Sequence, residues 1–411
     1  MDVAILGYGV VGSGTARLLE KISGDAALRA LPLRLKYILD IRDFPGDPLE
    51  RLVTHNFNAI LGDPDVRVVA ETMGGLHPAF EYVLACLRAG KSVVTSNKEL
   101  VAAKGYALLQ AARENNANFL FEGSVGGGIP IIRPLSQCLC ANEIAEVAGI
   151  LNGTTNFILT RMLGDAMPFG RALQMAQENG YAERDPSADI GGADACRKIC
   201  ILATLAFGRH VYPEQVRTEG IEGITPEDAA YADRLDCSIK LLARAKRLPD
   251  GRITACVAPM LVPREGSLLA CVSDVNNAIL IRGDAVGDVI FYGRGAGPEP
   301  TASAVVADIL DCARHIDRRR HFEWEDGAPD YVAPAEDDIA KFYARVSCDD
   351  EPSARKQVLQ AFPGASFIEI DGARPGDLAF VILPTKDGQM RAALAGLAGV
   401  KAEMVMRVAG F

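Results

Sequence analysis

A short β-rich run, Val3-Ala4-Ile5-Leu6, ends directly in Gly7-Tyr8-Gly9-Val10-Val11-Gly12 and passes without a break into the helical stretch Ser13 to Glu20. No other feature narrows the fold so far. The first glycine permits a tight turn, the second lets backbone approach a pyrophosphate, and the third lets helix pack on strand. The helix N-terminus then aims its unpaired N–H groups at the phosphates. A purely structural turn can use the same residues, but the position between a first strand and a first helix predicts a dinucleotide-binding loop.

The rest of the first 130 residues continues that pattern. Leu33 to Leu39, Val66 to Ala70, Ser92 to Thr95 and Phe119 to Phe121 are β-rich, and helical stretches separate them, one of them Pro78 to Ala89 with Gly90 as its C-terminal stop. Alternation of this kind builds a doubly wound parallel sheet, the Rossmann arrangement. At 411 residues the chain has room for further domains. From 131 to 322 longer helices mix with strands, as in an α+β domain. An acidic, proline-bearing stretch from Glu323 to about 335 reads as a linker. Beyond it, from 336 to 411, the runs Phe342–Ser347, Ala354–Phe362, Phe367–Ile370, Leu378–Leu383, Met390–Leu397 and Val400–Val408 follow the order βαββαβ, which suits helices on a small antiparallel sheet.

Charge and composition remove several function classes. A formal charge of −10 opposes broad contact with nucleic-acid phosphate or anionic lipid, so a small-molecule partner is favoured. No uncharged apolar run approaches the ~20 residues of a membrane span, and no basic-then-apolar leader precedes the first strand, which predicts a cytoplasmic protein. The ten cysteines are scattered. Neither Cys138/Cys140 nor Cys196/Cys200 has the spacing of a zinc or redox pair, so they read as reduced thiols, mostly core filler.

Four segments carry candidate chemistry. The second strand runs into Asp40-Ile41-Arg42, where an acid would bind the adenosine ribose and a base would meet the extra phosphate of NADP; both types are present, and the choice between NAD and NADP stays open. Thr95-Ser96-Asn97-Lys98 ends a central strand and opens a helix, on the sheet edge where ligands of such folds bind. A lysine there opposes the helix dipole, which favours a contact with substrate or cofactor over a bare surface position. Glu122 to Pro130 carries three consecutive glycines. Its carbonyls and the Glu122 carboxylate could coordinate Na⁺ or K⁺, while hinge glycines explain the loop equally well. Finally, a helix ends at Gly180, an acidic loop follows, and a new helix begins near Gly192 with Asp194 and Lys198 at i and i+4 on one face. Apolar Ile199, Cys200, Leu202, Ala203 and Leu205 predict that this helix is buried, so the pair either lines a pocket or is an ordinary surface ion pair.

Together these segments resemble the homoserine dehydrogenases. The stretch Ala176 to Lys198 fits that family's signature, and the dinucleotide loop, Thr95–Lys98, Glu122–Pro130, Leu151–Phe157 and Tyr292–Gly297 are similar too, so the likeness runs from residue 1 to about 320. The resemblance implies an NADP- or NAD-dependent enzyme interconverting homoserine and aspartate semialdehyde on the route to threonine, methionine and isoleucine. It makes Lys198 and Lys98 catalytic, with Lys198 the proton donor and acceptor and Lys98 touching substrate and cofactor, and gives Glu183 and Asp194 the substrate. Cofactor contacts would come from Gly7, Gly9, Val10, Val11 and Gly12, from Thr95, Ser96 and Lys98, and from Gly295 and Gly297 in a return loop beside the nicotinamide. Glu122 with the carbonyls of Val125, Gly127 and Ile129 would hold the monovalent cation. The second domain would also join subunits into a homodimer or homotetramer. The last ~75 residues resemble an ACT domain, a ligand-sensing module whose effector here would be an amino acid such as threonine; Ser353 stands where such domains often have glycine after Asp-x-Pro.

A phosphorylating semialdehyde dehydrogenase would need an activated cysteine beside a histidine, and neither Cys138 nor Cys140 has that setting. A non-catalytic sensor of dinucleotide and amino acid would not need the full set of acids and lysines.

Overall fold

The N-terminal alternation of strand and helix folds as the residue pattern predicts. In the computed structural model, which describes residues 1–23, 33–319, 322 and 324–410, β1 (Asp2–Leu6), β2 (Arg34–Leu39), β3 (Val53–Thr54), β4 (Val66–Glu71), β5 (Ser92–Thr95) and β6 (Phe119–Leu120) form one sheet. All its pairings are parallel. The order β3-β2-β1-β4-β5-β6 reverses direction at β1, which opens a crevice beyond the carboxyl ends of β1 and β4. Val3 to Leu6 are wholly buried because α1 (Val10–Ser23), α2 (Phe57–Leu61), α3 (Ala79–Arg88) and α4 (Lys98–Glu114) cover the sheet. Each such side chain contributes roughly 1.5–3 kcal/mol.

The next segment contributes β7 (Ile144–Ile150), α5 (Gly153–Gly164), α6 (Phe169–Glu178), α7 (Ser187–Ile190), α8 (Ala193–Phe207), β8 (Arg217–Thr218), α9 (Pro226–Arg234), β9 (Cys237–Arg247), β10 (Ile253–Pro263), β11 (Asn276–Gly283), β12 (Gly287–Arg294) and α10 (Pro298–Arg314). Strand periodicity splits its core in two. Ile239, Leu241, Ala243 and Ala245 of β9 join the cluster that includes α5 and α8, whereas Leu242 lies with Ala258 and Met260 in a second cluster. Helix α10 then returns to pack along α1, so the chain crosses back to the first sheet.

The C-terminal unit has the expected order: β13 (Ile339–Cys348), α11 (Glu351–Ala361), β14 (Ser366–Ile368), β15 (Asp377–Lys386), α12 (Asp387–Ala395) and β16 (Val400–Val408). What the sequence did not indicate is its attachment. β16 pairs in parallel with β10, Met260 opposite Arg407 and Leu261 opposite Val408, so the two units share one ten-stranded sheet. The stretch read as a linker is also packed. Trp324 meets Phe121 edge-on and His210 at a tilt, and Ile253 exchanges hydrogen bonds of 3.1 and 2.8 Å with Tyr331 and Ala333. Buried aromatics give this acidic segment a place to lie. Glu323, where the linker was expected to begin, and Phe411, where the last unit was expected to end, lie outside the described residues.

All ten cysteines are free, six of them buried: Cys86, Cys196, Cys200, Cys237, Cys256 and Cys312. Among the described residues no helix is long and apolar enough to cross a membrane.

Candidate active site

The dinucleotide loop has the geometry its glycines require. Gly7 sits at φ +93°, where an added Cβ would lie 2.9 Å from Met73, and a Cβ on Gly12 would strike the Gly7 carbonyl oxygen at 2.0 Å. At Gly9, by contrast, a Cβ would meet only open space. Val10 and Val11 open α1, with Val10 65% exposed at the helix mouth, an unusual position for a large apolar residue unless something covers it. A cavity of about 410 Å³ extends from Gly7 and Gly9 past Asp40, Arg42 and His55 to Thr72, Met73 and Gly74. Bare backbone at one end and polar groups at the other fit a dinucleotide.

At the far end β2 stops at Leu39, so Asp40 and Arg42 lie in a bend beyond the strand. The Arg42 guanidinium folds back on the Asp40 carboxylate, Nε to Oδ1 and Nη2 to Oδ2, both 3.0 Å. This pairing, with amide bonds from Tyr8 and Arg42, holds the Asp40 carboxyl down at about 2. His55, which sequence reasoning missed, donates Nδ1–H to the Asp40 carbonyl at 2.6 Å and sets Nε2 3.0 Å from Asp43. The Asp40 carbonyl first, then Asp43, raise its pKa. Two polar contacts, to partners 15 and 12 residues away, leave no linear signal.

At the end of β5 the Thr95 hydroxyl is engaged within the protein: it donates to Glu71 Oε2 at 2.6 Å and accepts from the Asn97 amide at 2.9 Å. Asn97 caps α4, its Oδ1 accepting from Leu100 N at 3.0 Å. Ser96 is half-buried beside it. Lys98, the first residue of α4, reaches out of this layer to the second segment and ion-pairs with Asp194.

Asp194 is the centre of the site. Its side chain is only 5% exposed, and Lys198 Nζ lies 2.7 Å from Oδ2. Lys198 is buried as well, and donates to the Leu151 carbonyl at 2.7 Å. The i,i+4 pair is thus buried and is no ordinary surface pair, because α8 is apolar behind it: Ile199, Cys200, Leu202 and Ala203 are buried. Burial alone would push the Asp194 acid up; the two lysine charges overcome it and hold it well below the usual carboxylate range. For Lys198 burial dominates, and the nearby Lys98 charge adds to it, so its pKa falls despite Asp194. Such a lysine gives up a proton more readily than a surface one.

Two residues of this cluster were not singled out from the sequence. Asn152 donates from Nδ2 to Asp194 Oδ2 at 2.9 Å and to Asp189 Oδ1 at 2.7 Å, while its Oδ1 caps α5. Asp189, whose acid burial pushes up, therefore shares a partner with Asp194. An Asn ahead of Gly-Thr-Thr is a recognisable helix cap; its reach across 37 and 42 residues is not recognisable. Glu183, by contrast, stands exposed on the acidic loop, and among the described residues no ion pair joins it to the cluster.

The glycine loop begins against the end of β5, where a Cβ on Gly123 would lie 3.1 Å from Ser96. The buried Glu122 carboxylate accepts from the amides of Ile131, Ile132 and Arg133 at 2.7, 2.9 and 3.0 Å. Val125 and Ile129 are buried, and Gly127 has φ +54°. Gly295 packs on this loop so closely that a Cβ on Gly127 would lie 2.6 Å from its carbonyl oxygen, and Gly128 N–H donates to Arg294 at 3.1 Å. Gly297, at φ +127°, leads into α10. Among the described residues no group of three or more His, Cys, Asp or Glu is placed to hold a metal. A cation here would rest on one carboxylate and backbone carbonyls, a donor set for a hard, weakly charged ion.

Comparison with known proteins points to one family. Residues 7–122 match the family model for the homoserine dehydrogenase NAD-binding domain, and residues 130–310 match that for homoserine dehydrogenase. A homoserine dehydrogenase of Synechocystis sp. is 39% identical over 98% of this chain and 97% of its own. Among solved structures, a homoserine dehydrogenase from Thiobacillus denitrificans superposes with a TM-score of 0.87 at 36% identity, covering 100% of this chain and 98% of that one. A hyperthermophilic archaeal homoserine dehydrogenase mutant, solved in complex with NADPH, gives 0.64 at 29% identity over 75% of this chain and 96% of its own.

Proposed function

The chain belongs to the homoserine dehydrogenase family, and on that basis we propose how its residues divide the reaction. As a member it is an NAD(P)-dependent oxidoreductase interconverting L-homoserine and L-aspartate 4-semialdehyde. A nicotinamide dinucleotide, when bound in the crevice beyond β1 and β4, supplies or accepts the hydride. The chain's own part is to bind, to orient, and to hold or move one proton.

The observation that carries this reading is the line of ion pairs Lys98–Asp194–Lys198 at the mouth of a buried helix. In reduction either lysine can give a proton to the carbonyl oxygen. In oxidation Lys198 is the better base, since burial lowers its affinity for the proton. Asp194 orients both ammonium groups and the substrate, and Glu183 with Asp189 offers carboxylates to the substrate ammonium and hydroxyl. Gly7, Gly9, Val10, Val11 and Gly12 hold the pyrophosphate, with Thr95, Ser96, Lys98, Gly295 and Gly297 nearer the nicotinamide. Arg42 and His55 on the cavity rim support use of NADP as well as NAD.

The finer assignments form one picture. Residues 1–130 bind dinucleotide, 131–322 bind substrate and join subunits into a homodimer or homotetramer, 323–335 connect, and 336–411 are an ACT-like regulatory unit. Its βαββαβ order, with strands arranged β16-β13-β15-β14, supports that. The effector is an amino acid such as threonine, and the enzyme works in the cytoplasm in threonine, methionine and isoleucine biosynthesis. Glu122 and the carbonyls of Val125, Gly127 and Ile129 hold Na⁺ or K⁺.

The deciding assay is homoserine-dependent reduction of NAD and of NADP by the purified chain, with and without added Na⁺, K⁺ and threonine. Reduction of both cofactors is expected, stimulated by a monovalent cation and inhibited by threonine. No reduction of either sinks the catalytic reading; reduction indifferent to ions or to threonine sinks those parts alone.

A further inference from the structure

Glu71 is fully buried at the carboxyl end of β4, and the lysine chemistry makes no use of it. A carboxylate so placed is costly unless its oxygens are occupied. They are occupied by two different loops. Oε1 accepts from the amides of Met73 and Gly74 at 2.8 and 3.3 Å, in the loop that leaves β4. Oε2 accepts from the Thr95 hydroxyl at 2.6 Å, at the end of β5.

Each loop carries part of the site. Thr72 donates to the Gly7 carbonyl at 2.8 Å, and Met73 and Gly74 line the dinucleotide cavity. On the other side Thr95 accepts from Asn97 N, Asn97 donates from Nδ2 to the Gly75 carbonyl at 2.7 Å, and Asn97 caps the helix whose first residue is Lys98. A continuous set of hydrogen bonds thus runs from the glycine loop through Glu71 to the base of Lys98. We propose that Glu71 is a positioning residue for hydride transfer: its carboxylate fixes the loop 72–75 against the β5 turn, and so fixes the distance between the dinucleotide and Lys98. It touches neither substrate nor cofactor. The proposal rests on the dinucleotide and lysine assignments above.

Glu71→Ala, Glu71→Gln and Thr95→Val are compared with the wild-type full chain by thermal melting, by dinucleotide titration and by steady-state kinetics. Wild-type turnover comes first; its absence counts against the catalytic reading, not against Glu71. In Glu71→Ala the dinucleotide KM is expected to rise and kcat to fall, each on the order of tenfold, with the homoserine KM within about twofold because Asp194 and Lys198 stand on the other layer. Glu71→Gln keeps an acceptor for the Met73 and Gly74 amides and should restore the dinucleotide KM while kcat recovers only in part. Thr95→Val breaks the bond to Oε2 on the Lys98 side; because Thr95 also stands in the cofactor set, kcat is expected to fall and the dinucleotide KM to rise with it. A folded Glu71→Ala with both parameters within about twofold of wild type overturns the proposal. If Glu71→Ala fails to fold, Thr95→Val decides: unchanged kcat there overturns it equally.

Discussion

Asp194 and Asp387 are both shut off from water and both gripped by cations drawn from two sides of a junction. Asp194 lies between Lys98 and Lys198 where the first sheet's layer meets the second segment. Asp387 opens α12 between Arg217, Arg391 and Arg407, at 3.2, 2.7 and 2.7 Å, where the C-terminal unit meets β8 and β10. Their electrostatics are alike and their chemistry is not. A lysine can lose its proton, and burial has brought Lys198 closer to doing so; an arginine stays charged at any working pH. Exposure does not separate the two, since Lys98 is 39% and Arg391 37% exposed. A buried ion cluster therefore suits proton transfer only where its cation can titrate.

Two substitutions set that contrast at its widest. Lys198→Ala is expected to lower kcat by roughly 10²–10⁴-fold, with dinucleotide affinity kept, because proton transfer fails while the glycine loop is untouched. Turnover near wild type would take Lys198 out of the chemistry. Asp387→Asn removes the carboxylate shared by three arginines, which keep Glu219 and Asp338, and is expected to cost on the order of 1.5–3 kcal/mol of stability. Its kcat, read below the melting transition, should match wild type. A kcat loss there comparable to that of Lys198→Ala would erase the distinction between the two clusters.

The same contrast separates what the sequence displays from what it conceals. Asp194 and Lys198 were legible because they are four residues apart on one helix, and the apolar run behind them foretold burial. The first sheet was legible because parallel strands buried on both faces read as unbroken apolar runs, Val3 to Leu6 among them. The Asp387 cluster gathers residues 217, 387, 391 and 407, and the pairing of β16 with β10 spans two residue pairs nearly 150 positions apart. Neither leaves a period or a spacing. Glu71 and Asn152 failed to stand out for a related reason: a carboxylate at a strand end and an Asn ahead of a helix are commonplace, and only the fold decides which loops they tie. Asp40 and Arg42 left the cofactor choice open because no spacing shows that the guanidinium folds back on the carboxylate.

A third test titrates the catalytic cluster. With Lys198 as the proposed base, oxidation of homoserine needs it neutral, so kcat/KM should rise with pH as that lysine loses its proton, and burial together with the Lys98 charge places the rise below the ordinary lysine value of 10.5. Lys98→Met removes the repulsion and leaves Asp194 to Lys198 alone. Both changes favour the ammonium, so the alkaline rise is expected to move to higher pH, by on the order of one pH unit. A rise that stays put would mean that Lys98 does not tune Lys198, and a downward move would contradict the burial argument itself.

The smallest effect is expected at a third ion pair, which lies at the surface and so extends the comparison to weak coupling. Arg42 is 58% exposed where it meets Asp40, and an exposed pair of this kind contributes little to stability. Its effect should fall on cofactor choice. With the guanidinium folded on it, Asp40 has both oxygens occupied and is a poor partner for a ribose diol; swung outward, the guanidinium can meet a 2′-phosphate beside His55. Arg42→Ala removes the phosphate partner and frees the carboxylate, so the KM for NADP should rise about tenfold while that for NAD stays level or falls. The ratio of kcat/KM for the two cofactors is the measurement. Equal weakening of both would mean that Arg42 never meets the 2′-phosphate, and would leave His55 as the group on that rim to substitute next.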